Sequence, residues 1–255
     1  MTIGFGAKIA SGVVVIADSR VTWPTRHNRD FSDNLQKLYV LGSGSVICFA
    51  GDVDIAREML RDLSENVFHT DDIRSLKDNV GPFLRNCYSQ LRSEACVEFL
   101  LGGVHREGYM VKYTSPDFDA DSISPWLGYH IIGSGEVIRP ALPIMEKQFL
   151  DLAIYSDGEA VCHTAIFTSH IRNLLRNLRV DTVGGLLQIA FIGEKGISFL
   201  SDGLRTVGRP GGDVDYCMNF KDGRFVQRNN KTGQEIVLKT VFDHLPKEEV
   251  FRRDS

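Results

Sequence analysis

Four residues of this chain make a set able to hydrolyse an amide bond: Thr2, Asp18, Lys37 and Gly51. A threonine hydroxyl is a weak nucleophile. As the first residue of a mature chain it sits beside its own α-amine, whose reference pKa of about 7.7–8.0 makes it a base near neutrality without any histidine. The sequence opens Met-Thr-Ile. Methionine ahead of so small a side chain is generally removed, so Thr2 is expected to become that first residue. A lysine beside the hydroxyl would favour the alkoxide, and a carboxylate would keep that lysine charged and aimed. Gly51, where an apolar run gives way to a helical pattern, would offer a backbone N–H to the oxyanion. Each residue alone has a plainer reading. Most Met-Thr starts mean nothing, Asp18-Ser19-Arg20 is also a fair strand-end turn, and Lys37 a fair solvated edge lysine.

The elements that must position these residues follow from periodicity. Ile3 to Ile9 and Val13 to Asp18 read as strands joined at Ala10-Ser11-Gly12, a hairpin signal that puts Asp18 at the Thr2 end of the pair. Val13 to Ala17 is apolar without alternation, which predicts a strand covered on both faces. Trp23 to Asp33 is polar and irregular and reads as a loop. Lys37 to Leu41 and Ser45 to Ala50 are two further strands. Ile55, Met59, Leu63 and Val67 recur every four residues, and Ile73, Leu76, Val80, Leu84, Cys87 and Leu91 at steps of three and four. That spacing predicts two helices, the second kinked at Gly81-Pro82.

Strands return at Cys96 to Gly102, Tyr109 to Tyr113 and Tyr129 to Ile132. Two helices are expected next, one after Ser134 and one after Ser156, where Ser156-Asp-Gly-Glu159 fits a capping box. Leu186 to Ile192 and Ile197 to Leu200 are again strands. Helices that come in pairs disfavour a doubly wound parallel fold. They predict an α+β chain in which two antiparallel sheets lie between helix pairs, a four-layer αββα sandwich. The text changes at Leu204. Lys221-Asp-Gly-Arg224 reads as a tight hairpin turn, and the residues from His244 onward are charged. The expected division is a domain over 1–203 and a C-terminal extension over 204–255.

A formal net charge of −4, with short basic clusters diluted by acids, speaks against nucleic acid or a membrane surface as partner. No apolar run approaches the roughly 20 residues of a membrane span, and the start lacks the regions of a secretory signal. A cytoplasmic protein is expected. The five cysteines are scattered without a CxxC pair, and the histidines, His27, His69, His105 and His130 among them, keep no metal-binding spacing. No metal or other cofactor is expected, and the cysteines read as buried reduced thiols.

The arrangement resembles the proteasome β-type and bacterial HslV-type proteases, which are N-terminal-nucleophile (Ntn) hydrolases. The matching text is Thr2-Ile, Gly12-Val-Val-Val-Ile-Ala-Asp18-Ser-Arg-Val-Thr22, Lys37-Leu-Tyr, Phe49-Ala-Gly51-Asp, Ile132-Gly-Ser134-Gly135 and Asp181-Thr-Val-Gly-Gly185. It spans about residues 2 to 202. The length and the C-terminal extension are similar to the ancestral bacterial homologues, the Anbu type. The resemblance implies Thr2 as nucleophile, Asp18 and Lys37 as the charge pair beside it, Gly51 as oxyanion donor and Ser134 as the serine that orients the amine and a water. Asp181 matches the family's amine-supporting aspartate with a one-residue gap, and the serine that should follow it is replaced by Gly184 or Val183. By analogy Val21, Phe49 and Val53 line the pocket for the residue before the scissile bond, or simply pack the core.

The expected activity is that of a threonine peptidase cleaving polypeptides inside stacked rings of identical subunits. With no P-loop in this chain, an ATP-driven unfoldase would be a separate partner. The missing serine after Asp181 keeps a second reading open, a non-catalytic ring or scaffold subunit. A small-molecule amidase of the same class is the third.

Overall fold

The computed structural model describes residues 3–9, 12–24, 29–32, 35–41, 44–67, 73–105, 107–122, 128–133, 185–194, 196–201, 205–208, 214–229 and 231–237. The chain opens with the hairpin β1 (Ile3–Ile9) and β2 (Gly12–Asp18), followed by β3 (Val21–Pro24) and β4 (Arg29–Ser32). β5 (Leu38–Val40) and β6 (Ser45–Gly51) lead into helices α1 (Val53–Val67) and α2 (Ile73–Leu91). β7 (Val97–His105), β8 (Glu107–Thr114), β9 (Asp121–Ser122) and β10 (Gly128–Gly133) come next. After residues 134–184, where the second helix pair is expected and which lie outside the described residues, come β11 (Leu187–Gly193) and β12 (Gly196–Ser201). β13 (Arg205–Gly208), β14 (Val214–Lys221), β15 (Arg224–Asn229) and β16 (Glu235–Val237) complete the described chain.

These elements make an α+β architecture of antiparallel sheets. One five-stranded sheet runs β10-β1-β2-β11-β12, and the other β5-β6-β7-β8-β9. β2 is central in the first, and all seven of its residues are buried, as its unbroken apolar text predicts. Its alternate side chains serve different layers. Val13, Val15 and Ala17 join Val46, Cys48, Ala50, Leu100 and Met110 of the second sheet in one core. Val14 and Ile16 belong to the opposite face, where Phe5, Ala7 and Ile189 are buried as well. The outer face of the second sheet, with Ile47, Phe49, Phe99 and Leu101, packs under Met59, Leu60, Leu63, Val80 and Leu84 of the two helices. α2 runs through Gly81-Pro82 as one helix.

On its inner face β1 carries glycine. A Cβ on Gly6 would lie 2.2 Å from Met110 Sδ, so the missing side chain lets the two sheets close around that methionine. The C-terminal strands form a four-stranded sheet, β13-β14-β15-β16. Its expected hairpin is present, with φ of 50° at Asp222 and 76° at Gly223, the left-handed pair that a two-residue turn demands. Phe220 and Phe225, either side of that turn, are buried in the inter-sheet core. The expected loop over Trp23 to Asp33 is different. β3 and β4 pair there as a two-stranded ribbon, because backbone pairing needs no apolar alternation where a ribbon has no sheet to complete.

His130 on β10 shows how burial can outweigh a partner. Its Nε2 finds no hydrogen bond among the described residues. Burial pushes its pKa below 6.5, outweighing Asp121, whose Oδ2 is 3.9 Å from Nδ1. The folded state therefore binds fewer protons than the unfolded state as pH falls below 6.5, and the stabilisation present above that pH is lost through the lowered value. Denaturant unfolding above and below pH 6.5 should give a steeper acid-side loss for the unsubstituted chain than for His130→Phe. Equal slopes would contradict this.

Candidate active site

The site is built where the first sheet's strands begin and end. The β1–β2 register, Gly4 opposite Ala17, sets Ile3 beside Asp18. The Ile3 N–H donates to Asp18 Oδ1 at 3.1 Å. Lys37 Nζ donates to the same oxygen at 2.9 Å and also to the Arg20 carbonyl. Neither Asp18 nor Lys37 has any exposure. An uncompensated charge there would be costly, and the ion pair with its backbone hydrogen bonds is the compensation. Thr2 lies outside the described residues, but the Ile3 nitrogen that binds Asp18 is the peptide nitrogen Thr2 acylates. Ser134 and Asp181 also lie outside them. The last described residue before Ser134 is Gly133, opposite Ile3 in the β1–β10 register.

Gly51 ends β6 at the end of the sheet where Lys37 leads into β5, since Leu38 is opposite Cys48. Val97, opposite Gly51 on β7, gives its N–H to Ser115 Oγ and its carbonyl to the Ser115 N–H. The Cys96 carbonyl takes the Asp52 N–H. By the alternation of an antiparallel ladder, the Gly51 N–H then faces the other side of β6, toward β5. Asp52 caps α1, accepting from Asp54 N and Ile55 N at 3.0 Å each. Gly51 has φ of +100°, and a Cβ there would sit 2.0 Å from the Cys96 carbonyl oxygen. Gly51→Ala is expected to cost at least about 1–3 kcal/mol from backbone strain alone, read as a lower urea midpoint at unchanged slope.

Sequence reading passed over the side chain that ties these parts together. Gln188, on β11, has no exposure. Its Oε1 accepts from Lys37 N at 2.8 Å and Leu38 N at 3.0 Å. Its Nε2 donates to the Asp18 carbonyl at 3.2 Å and the Leu35 carbonyl at 3.0 Å. Ser19 Oγ accepts from Leu186 N at 2.8 Å, and Gln36 Nε2 reaches the Gly223 carbonyl of the C-terminal turn at 2.9 Å. Asp18, Ser19, Gln36, Lys37 and Gln188 are five of the seven buried polar or charged side chains among the described residues. Such a concentration singles out this end of the sheets as the candidate site. The one signal in the sequence was a lone glutamine within an apolar strand.

A second link crosses between the sheets. Glu98 on β7 accepts from the Gly133 N–H at 2.5 Å and pairs with Lys112 at 2.7 Å, and Lys112 Nζ donates to the Ile131 carbonyl at 3.2 Å. Phe49 is fully buried in the core beneath the helices, and Val53 packs against that core. Val21 is buried at the start of β3. Cys48 lies close enough to feel both Lys37 and Asp18, yet burial dominates and pushes its thiol up, while the Cys87 thiol is pushed up to about 11, chiefly by burial. Both stay protonated and inert at neutral pH. Among the described residues no three His, Cys, Asp or Glu side chains group as a metal site, and no helix is long and apolar enough to cross a membrane.

Two antiparallel sheets with helices packed against one of them define an α+β fold that solved structures share. In fold the chain is similar to Anbu proteins. One is described as an ancestral β-subunit, from Yersinia bercovieri, with 16% identity, a TM-score of 0.58 and coverage of 77% of this chain and 82% of that one. The Anbu (Gly-1) mutant from Hyphomicrobium sp. strain MC1 has 16% identity and a TM-score of 0.56, covering 76% and 82%. A second Anbu structure from that strain has 15% identity and a TM-score of 0.55, covering 75% and 82%. No family model matches the sequence, and no curated protein matches it.

Proposed function

We propose that this chain is a proteasome-like threonine peptidase that cleaves polypeptides with Thr2 as its nucleophile. The observation that carries the reading is one run of contacts, from the Ile3 N–H through Asp18 to Lys37, all buried, at the residue covalently next to Thr2. In this mechanism the Thr2 amine, supported by Asp181, takes the Oγ proton, and Oγ attacks the peptide carbonyl carbon. The Lys37 charge, held by Asp18, favours the alkoxide. The oxyanion rests on the Gly51 N–H. The carbon–nitrogen bond then breaks, and the departing amine takes the proton from the ammonium. Water held near Ser134 hydrolyses the remaining ester and restores the hydroxyl.

The same reading extends to the whole chain. Residues 1–203 form a four-layer catalytic domain, the burial of Phe5, Val14, Ile16 and Ile189 supporting a helical layer over the first sheet. Residues 204–255 form an extension whose hairpin completes the inter-sheet core. The subunit assembles into cytoplasmic rings and receives substrate from a separate unfoldase. Val21 and Val53 border the pocket for the residue before the scissile bond, with Phe49 behind them. Intact mass and reaction with a threonine-directed epoxyketone test the proposal together. Loss of Met1 and one adduct at Thr2 are expected. A retained Met1 with no adduct would overturn it in favour of a non-catalytic ring subunit, the reading that the missing serine after Asp181 favours.

A further inference from the structure

We infer that Gln188 is a positioning residue for the lysine of this site, acting through the backbone on both sides of Lys37. The inference rests on the Thr2 reading above. A primary amide offers two lone pairs and two N–H bonds, and Gln188 uses all four on main-chain groups from two segments: Asp18, and Leu35 with Lys37 and Leu38. β5 begins only at Leu38 and pairs with β6 from there. Up to that residue, the segment bearing the lysine is held by Gln188, Ser19 and Gln36. Gln188 fixes both its amides, while Ser19 and Gln36 secure its flanks, the Ser19 carbonyl accepting from Leu35 N at 3.1 Å and Gln36 Nε2 donating to the Leu38 carbonyl at 3.0 Å. The same amide grips the Asp18 carbonyl, so one rigid group sets the separation of the two segments that carry the ion pair. Gln188 touches no reacting atom. What it controls is where Nζ arrives relative to the nucleophile, and a misplacement of about 1 Å can cost about 10²-fold in rate.

The test compares Gln188→Met, which keeps the volume and removes all four hydrogen bonds, with Gln188→Glu, which keeps the acceptors toward Lys37 N and Leu38 N. Reactive sites are counted with the epoxyketone, and kcat is expressed per titrated site. A positioning role predicts a per-site kcat lower by about 10²-fold in the methionine variant. KM should be unchanged, and the pH–rate profile displaced to higher pH. The glutamate variant should fall between the two. A purely structural role reduces the number of titratable sites and leaves per-site kcat and the profile as in the unsubstituted chain, which would overturn the inference. If the methionine variant does not fold, the glutamate variant decides. Failure of both to fold would also overturn it, because Gln188 would then serve the fold. An unsubstituted chain that neither reacts with the epoxyketone nor turns over peptide overturns the Thr2 reading itself. A labelled, active chain with an unimpaired methionine variant overturns only the role of Gln188.

Discussion

On the proposed function, Thr2→Ala will fold as the unsubstituted chain does and turn over peptide more slowly by about 10⁴-fold or more, the scale on which losing a covalent nucleophile acts in a hydrolase. The substitution removes one hydroxyl and one methyl from the chain's second residue and leaves the Ile3 N–H, Asp18 and Lys37 in contact. Stability should therefore be unaffected. The epoxyketone adduct should vanish with the activity. A variant within tenfold of the unsubstituted rate would end the nucleophile assignment, whatever its other properties.

The second large effect separates stability from activity at the ion pair. Lys37→Met strands the Asp18 carboxylate in a site with no exposure, and breaking a buried pair costs about 3–5 kcal/mol. For a chain of this size that lowers Tm by roughly 10 °C. The double variant Asp18→Leu with Lys37→Met buries no charge, so most of that loss should return, while the Ile3 N–H gives up its acceptor. Activity should not return, because the charge that favours the alkoxide is gone. Calorimetry beside a peptidase assay reads both. A double variant as unstable as the single one would mean that the pair supports the fold and not the chemistry.

The residues legible in the sequence were those whose signal is local. The apolar run Val13–Ala17 states its own double burial, the four-residue steps from Ile55 to Val67 state α1, and Asp222-Gly223 states its turn. Asp18 and Lys37 were legible as a pair because each lies at the edge of a strand, and strand order brings those edges together. Gln188 was not, because a glutamine in an apolar run shows only that something polar must meet it. Its partners are 151 and 150 residues away at Lys37 and Leu38. Glu98 and Lys112 escaped for the same reason, their target being the backbone of a third strand. The β3–β4 ribbon was missed because main-chain pairing leaves little trace in side-chain pattern.

That distance along the chain has a consequence for biosynthesis. At about 5–20 residues per second, a ribosome needs on the order of ten seconds to travel from Lys37 to Gln188, and longer to reach Gly223, which Gln36 grasps across 187 positions. Until then a nascent polypeptide lacks the strand that seats the lysine. On the proposed function, a peptidase so arranged would be born harmless, its cutting edge assembled only after that strand has been made.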